Sequence, residues 1–251
     1  MVRAELPEHA TWEPIAPGVL RRRLPGLELN VAVVTGRDGI LLVDTGSHER
    51  EAAELLSSLA RELPTHDLPD RVVAVVNTHG HFDHCFGNAH VLDAFPDAQV
   101  WGHAGLPAYL AERADEGRAA GIGYGFDADL MNAARIVPPR HVVGTGEPVT
   151  LDLGGRDVVL YAPGRGHTDH DLVVHVPDCG VLIAGDIVEE SGPPQFGSDA
   201  YAAEWSDSLG RVRELGAHVW LPGHGAVVDE EFVARQTRWL ADVAAGRVVP
   251  D

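Results

Sequence analysis

The run Val72-Val73-Ala74-Val75-Val76 and the stretch after it, Asn77-Thr78-His79-Gly80-His81-Phe82-Asp83-His84-Cys85, decide how this 251-residue chain is read. The apolar part is β-branched and bounded by a turn, the pattern of a buried strand. Three histidines and an aspartate then fall within six consecutive positions. A strand that stops there delivers the cluster to the edge of a sheet. His79 and His81 are two apart, and alternate residues of an extended segment point the same way, so both can reach one cation. Asp83 and His84 follow a bend at Gly80 and can reach a second cation nearby. Neutral imidazole and carboxylate are good ligands for zinc and similar divalent metals. A lone histidine is usually a surface or satisfied core residue, and a chain with 14 of them clusters some by chance. Such a grouping at the end of an apolar strand is much harder to obtain that way.

Upstream, strands are expected at Val19–Leu24, Leu29–Thr35 and Ile40–Val43, the last ending in Asp44-Thr45-Gly46-Ser47. Residues 49–62 have helical spacing, with Ala52, Leu55, Leu56 and Leu59 on one face. Pro64 and Pro69 mark a loop. Downstream, helices are expected over Asn88–Phe95 and Pro107–Ala120, with a short strand at Gln99–Trp101. The glycine-rich segment 121–140 reads as a mobile flap or a long connection. Strands follow at Leu151–Leu153, Val158–Tyr161, Leu172–Val176, Val181–Ala184 and Val219–Leu221, with helices at Ala200–Leu215 and 229–245. His79, His167, Asp186 and His224 each follow one of these strands, next to glycines that let the chain turn sharply. Four strand ends therefore each deliver one metal-type ligand, and converging strand-end loops are how a sheet-based enzyme builds a site.

Composition narrows the function classes. Hydrophobic content of 45% and charged content of 23% suit a soluble globular protein, expected as a single domain over 1–251. No apolar stretch approaches membrane-spanning length. Met1 to Glu8 is acidic without an apolar core, so it does not read as a secretory signal, and a cytoplasmic protein is expected. Cys85 and Cys179 are the two cysteines, expected to be reduced. A net charge of −19 argues against nucleic acid and anionic membranes as partners and leaves a small-molecule substrate. Arg21-Arg22-Arg23 is the one dense basic run, expected on a solvated strand edge. All 19 basic residues are arginine, so no lysine can serve as a Schiff-base nucleophile. The oligomeric state is left open.

The set His79-x-His81-x-Asp83-His84 with His167, Asp186 and His224 resembles the metallo-β-lactamase-fold hydrolases, and Asp44-Thr45-Gly46 fits that family's early strand-end motif. The resemblance implies a mixed α/β (α+β) fold, a four-layer αββα sandwich of two mixed sheets with outer helices. It implies one metal held by His79, His81 and His167, a second held by Asp83, His84 and His224, and Asp186 bridging both. Two divalent ions are implied, zinc first, with manganese or iron compatible with the same ligands. Asp186 points away from the β-lactam-cleaving members, which commonly lack a bridging aspartate, and towards glyoxalase II-like thioesterases and lactonases. The expected reaction is hydrolysis of a small ester, thioester or lactone by a metal-bridging hydroxide, with Asp83 either orienting the nucleophile and shuttling its proton or serving simply as a ligand. Its rivals are an iron-dependent persulfide-dioxygenase-like oxidoreductase and a β-lactam hydrolase. Asp44 is expected to orient a histidine ligand or cap the next helix, and Cys85 to pack. Tyr124, Phe126, Phe196 and Trp205 are expected either to wall the pocket or to pack in the core.

Overall fold

A computed structural model of the chain describes residues 11–62 and 69–249. The expected leader-free N-terminus (Met1 to Glu8) and most of the Pro64–Pro69 loop lie outside the described residues. The first sheet has seven strands in sequential order: β1 (Glu13–Ala16), β2 (Val19–Arg23), β3 (Asn30–Thr35), β4 (Ile40–Val43), β5 (Val72–Val76), β6 (Gln99–His103) and β7 (His141–Val143). β1 to β4 pair antiparallel through short turns, whereas β4 to β7 pair parallel. The parallel part needs crossovers, supplied by α1 (Glu49–Glu62), then α2 (Phe82–Cys85) and α3 (Asn88–Ala94), then α4 (Leu106–Gly123) and α5 (Ala128–Ala133). The second sheet is ordered β12-β11-β10-β9-β8: β8 (Val149–Asp152), β9 (Asp157–Tyr161), β10 (Val173–Val176), β11 (Val181–Gly185) and β12 (Val219–Pro222). Its β11–β12 pair is parallel and crosses over through α6 (Ala202–Arg213), and α7 (Glu230–Ala244) follows β12.

Strand alternation explains the layering. In β3, Ala32 and Val34 join the core between the sheets, while Val31 and Val33 face α1 and α3. Leu41 and Val43 of β4 point inward, Ile40 and Leu42 outward. In the second sheet Val181, Ile183 and Leu221 point inward, whereas Leu182, Ala184 and Trp220 meet α6 and α7. Strands buried on both faces read as unbroken apolar runs, which is why these segments lack polar alternation. The result is the expected four-layer αββα sandwich of two mixed sheets. No helix among the described residues is long and apolar enough to cross a membrane.

Two expectations are corrected. Arg21-Arg22-Arg23 is not a solvated edge: β2 is paired on both sides. Arg21 binds Glu13 and the Gly225 carbonyl, and Arg22 binds Ser58 and the Glu54 carbonyl. Segment 121–140 is not a bare connection. It holds the end of α4 and all of α5, which Asp127 caps and which buries Met131 against Phe82 and Phe86. Of the aromatics expected to wall the pocket or pack in the core, Trp205 is fully buried in the core and Phe196 packs on it.

The sheets are joined at their loop ends by Asn30. Its Nδ2 donates to the carbonyls of Pro222 (3.0 Å) and Gly225 (2.9 Å), and its N–H donates to Gly223 O (2.7 Å). Asn30→Ala removes the side-chain donor from the Pro222 carbonyl and leaves the Gly225 carbonyl to Arg21 alone. It is expected to lower unfolding free energy by about 1–3 kcal/mol at unchanged denaturant slope. A loss below about 0.5 kcal/mol would show that the join contributes little.

Candidate metal centre

All seven expected residues converge at the loop ends of the two sheets. His79 and His81 follow β5, and Asp83 and His84 lie in the short helix α2, so the bend at Gly80 leads into a helical turn. His167, Asp186 and His224 follow β9, β11 and β12. Two groups form, each able to offer ligand atoms within 4.8 Å of one another: His79, His81, His167 and Asp186; and Asp83, His84 and His224. Glycine backbones make room for this. A Cβ on Gly223 would collide with Asp186 Oδ1, and one on Gly185 (φ +57°) would press on Thr78.

The spacings suit cations. His81 Nδ1 and His167 Nε2 are 3.0 Å apart, and His84 Nε2 and His224 Nε2 are 3.4 Å apart. Asp83 Oδ2 is 3.3 Å from His224 Nε2 and 3.6 Å from His84 Nε2. Asp186 stands between the groups: Oδ2 is 3.7, 3.5 and 3.3 Å from Nε2 of His79, His167 and His224, and Oδ1 is 3.2 Å from His84 Nε2. Donors about 2.0–2.1 Å from a tetrahedral ion lie about 3.3–3.4 Å apart. His79 Nε2 and Asp186 Oδ1 are buried and have no hydrogen-bond partner. Buried polar atoms are rarely left so, and a cation would satisfy both.

The outer ring nitrogens are mostly held. Asp44 Oδ2 is 2.8 Å from His84 Nδ1, Asp199 Oδ2 is 3.2 Å from His81 Nε2, and Leu27 O is 2.8 Å from His224 Nδ1. Such contacts fix the tautomer and aim of a ligating imidazole. Asp44 thus orients a histidine, as expected, and it does not cap α1. That helix start is closed by His48 Nδ1, which accepts from Glu51 N, and by Glu51, which accepts from Ser47 N. Cys85 is buried and packs, as expected, and both cysteines are free. Tyr109 OH donates to Asp199 Oδ2 (3.1 Å), and both residues line a cleft of about 880 Å³. Neither Asp199 nor Tyr109 carried a sequence signal. Asp199 lies in an irregular loop 118 residues from the histidine it touches.

The electrostatics divide the imidazoles: Asp199 raises His81 against its burial, whereas its partners His79 and His167 are lowered. Burial and the neighbouring His84 push His79 well below the usual histidine range, and burial pushes His167 down to about 3. Burial opposes charge on His84 and His224 too, but the carboxylates of Asp186 and Asp83 overcome it and raise both well above that range. Asp186 is held well below the carboxylate range despite burial, by His84, His224 and His79. The carboxylates of Asp186 and Asp83 thus favour protons on His84 and His224, with which a cation would compete. A cation must displace them, so metal affinity rises with pH.

A sandwich of this topology with His/Asp groups at its loop ends defines a class of metal-dependent hydrolases. The Metallo-beta-lactamase superfamily model matches residues 25–224, and the chain belongs to that superfamily. It is 27% identical over 206 residues to a metallo-β-lactamase type 2 of a Bacillus species, covering 80% of this chain and 68% of that protein. It is 31% identical over 166 residues to a hydroxyacylglutathione hydrolase of Gloeobacter violaceus, covering 66% of this chain and 51% of that protein. A metallo-β-lactamase from Pontibacter korlensis superposes with a TM-score of 0.71 at 21% identity, covering 92% of this chain and 98% of that one. A mono-zinc metallo-β-lactamase of Pseudomonas aeruginosa gives 0.70 at 21% identity, covering 94% and 96%. The two structural likenesses speak for the fold alone. Within this family the chain is a metal-dependent hydrolase, and its His/Asp groups fit a divalent-metal site.

Behind the centre, Asp171 accepts from Thr168 N (3.1 Å) and Oγ1 (2.6 Å), and burial pushes its carboxyl up to about 7. An unfolded carboxyl titrates near 3.9. Between about pH 4 and 7 the folded chain holds a proton that the unfolded chain has lost, so this group subtracts stability as pH rises through that window. Asparagine keeps the acceptor oxygen and cannot ionise. Metal-free Asp171→Asn is expected to gain more in melting temperature over wild type at about pH 8 than at about pH 4.5. Equal shifts at both would mean that Asp171 ionises normally.

Proposed function

We propose that this chain hydrolyses a small-molecule ester, thioester or lactone at a dinuclear centre. In this reading His79, His81 and His167 hold one divalent cation, Asp83, His84 and His224 hold the second, and Asp186 is shared. The observation that carries it is the position of Asp186, whose two oxygens stand 3.2–3.7 Å from imidazole nitrogens of both groups. Bound divalent cations supply Lewis acidity and an acidified water, and zinc is the first expectation.

The chain's own residues do the rest. Asp186 brings negative charge between the two ligand sets and so allows two cations to sit close together. Asp83 is buried, yet His84 and His224 keep its carboxyl below the usual range, so it is an ionised acceptor for the proton that the attacking water loses. Asp44, Asp199 and Leu27 O hold the imidazoles in register. The adjoining cleft of about 880 Å³ is within the range of small-molecule pockets. Relatives named as a hydroxyacylglutathione hydrolase and as an atrochrysone carboxyl ACP thioesterase support this substrate class, and the chain spans about half the length of each. The relatives named as β-lactamases make β-lactams the second class to assay.

Protein purified without chelator is expected to carry two divalent ions per chain, mainly zinc, and to cleave at least one member of a panel of esters, thioesters and lactones faster than β-lactams or phosphodiesters. His167→Ala and Asp186→Asn are expected to lower kcat by about a hundredfold or more, with Asp186→Asn also losing the second ion. One iron per chain with oxygen uptake would replace this reading by the oxidoreductase. Activity within a few-fold of wild type in either variant would remove the ligand assignment.

A further inference from the structure

The backbone between two ligands is braced by a residue outside the ligand set. A Cβ on Gly80 would collide with the ring of Tyr109 and with His170 Nε2, so these two side chains fill the space beside the His79-Gly80-His81 segment. Tyr109 lies near the start of α4, where Gly105 N donates to His103 Nδ1 (2.9 Å). Its ring lies on that of His170, with centroids 4.2 Å apart, and His170 Nδ1 is 2.8 Å from Asp169 Oδ1. Its hydroxyl donates to Asp199 Oδ2 (3.1 Å), the same oxygen that stands 3.2 Å from His81 Nε2. Burial and the field of Asp199 push the phenol well above its ordinary range, so it keeps the proton it donates. One turn further along α4 the grip on this loop is repeated: Arg113 Nη2 donates to Ser198 Oγ (3.3 Å). Tyr109 therefore reaches the ligand segment twice, at Gly80 through its ring and at His81 through Asp199.

His81 turns Nδ1 to the other ligands, 3.0 Å from His167 Nε2, and turns Nε2 to Asp199. A ring that ligates through Nδ1 carries its proton on Nε2, and the acceptor that meets this proton sets the tautomer and the plane of the ring. Asp199 is that acceptor, yet it lies in the irregular loop between β11 and α6, beside the cleft. Among the described residues, the side chains that hydrogen-bond its carboxylate are those of His81 and Tyr109. Without the phenol, Asp199 would be held only by the imidazole it has to hold. We propose that Tyr109 is a positioning residue of the metal centre: its hydroxyl fixes Asp199, and through Asp199 it fixes the aim of His81 and the affinity for the cation shared with His79 and His167. This rests on the reading of His81 as a ligand and is independent of the substrate. The outer nitrogens of His84 and His224 are met by Asp44 and by Leu27 O, so the effect is confined to one of the two cations.

The test titrates the zinc-loaded protein with a chromophoric chelator, which reads metal affinity without turnover. Tyr109→Phe keeps the ring against Gly80 and His170 and removes only the hydroxyl. It is expected to weaken one zinc ion by about tenfold and to leave the other within about twofold. The weakened ion is expected to be the one that His167→Ala loses and His224→Ala keeps. Asp199→Ala is expected to weaken the same ion by about tenfold or more. Adding Tyr109→Phe to Asp199→Ala is expected to change nothing further, because the hydroxyl then has nothing to fix. A hydroxyl that supports the fold by another route would add its own loss to that of Asp199→Ala, and one that serves only to touch substrate would leave zinc affinity unchanged. Either result overturns the proposal. If Tyr109→Phe holds zinc as wild type does while His81→Ala loses an ion, the proposal falls and the ligand assignment stands. If His81→Ala also holds zinc as wild type does, both fall.

Discussion

The centre depends on one buried carboxylate, that of Asp44. It is 1% exposed and sits at φ 62°, an uncommon backbone for a non-glycine residue. Oδ1 accepts from Thr78 N (2.8 Å), and Oδ2 lies 2.8 Å from both Thr78 Oγ1 and His84 Nδ1. Three elements meet there: the end of β4, the end of β5 and the helical turn α2. Burial raises the Asp44 carboxyl, and the field of His84 with these hydrogen bonds works against that rise. Removing one partner would leave a charge stranded in the core, a large penalty. Thr78 Oγ1 also lies 3.2 Å from His79 Nδ1, so both ligand groups are referred to this anchor.

Neither sheet owns the site. The first sheet and its crossovers supply His79, His81, Asp83 and His84, and the second supplies His167, Asp186 and His224. The ligand spacing is therefore a packing distance between sheets. The inward-facing valines, leucines and alanines set it, and Asn30 fixes it where the loops emerge. The dense cluster of imidazoles is tolerated because each element brings its own compensation. Asp186 and Asp83 offset positive charge, and the outer ring nitrogens of His81, His84 and His224 are bound to oxygens. His167 Nδ1 is the exception, buried without a partner.

The strands and ligands were legible because they are written locally. Apolar runs such as Val72–Val76 and Val181–Ile183 carry their own signal, and a histidine or aspartate beside glycine at a strand end needs no knowledge of distant sequence. What escaped reading depends on partners far away. β1 and β7 are short strands that exist because β2 and β6 offer free edges to pair with. The arginine triplet looked like a solvated edge because sequence does not show that β1 covers β2. Segment 121–140 looked loose from its glycines, but Met131 finds Phe82 and Phe86 across the fold. Asp199 and Leu27 O reach the histidines from loops whose course is set by the finished sandwich.

The distribution of acids around the centre also has an order that charge counting misses. Asp83 and Asp186 lie among the imidazole nitrogens, where cations are to be held. Asp44 and Asp199 lie one imidazole further out and act through His84 and His81. Each of these four carboxylates is committed to a histidine at hydrogen-bonding or ion-pairing distance. Glu189 shares their burial but not their charge, since burial and Asp186 raise its carboxyl well above the carboxylate range. A carboxylate bound to an imidazole tunes the protein, because its charge is already answered.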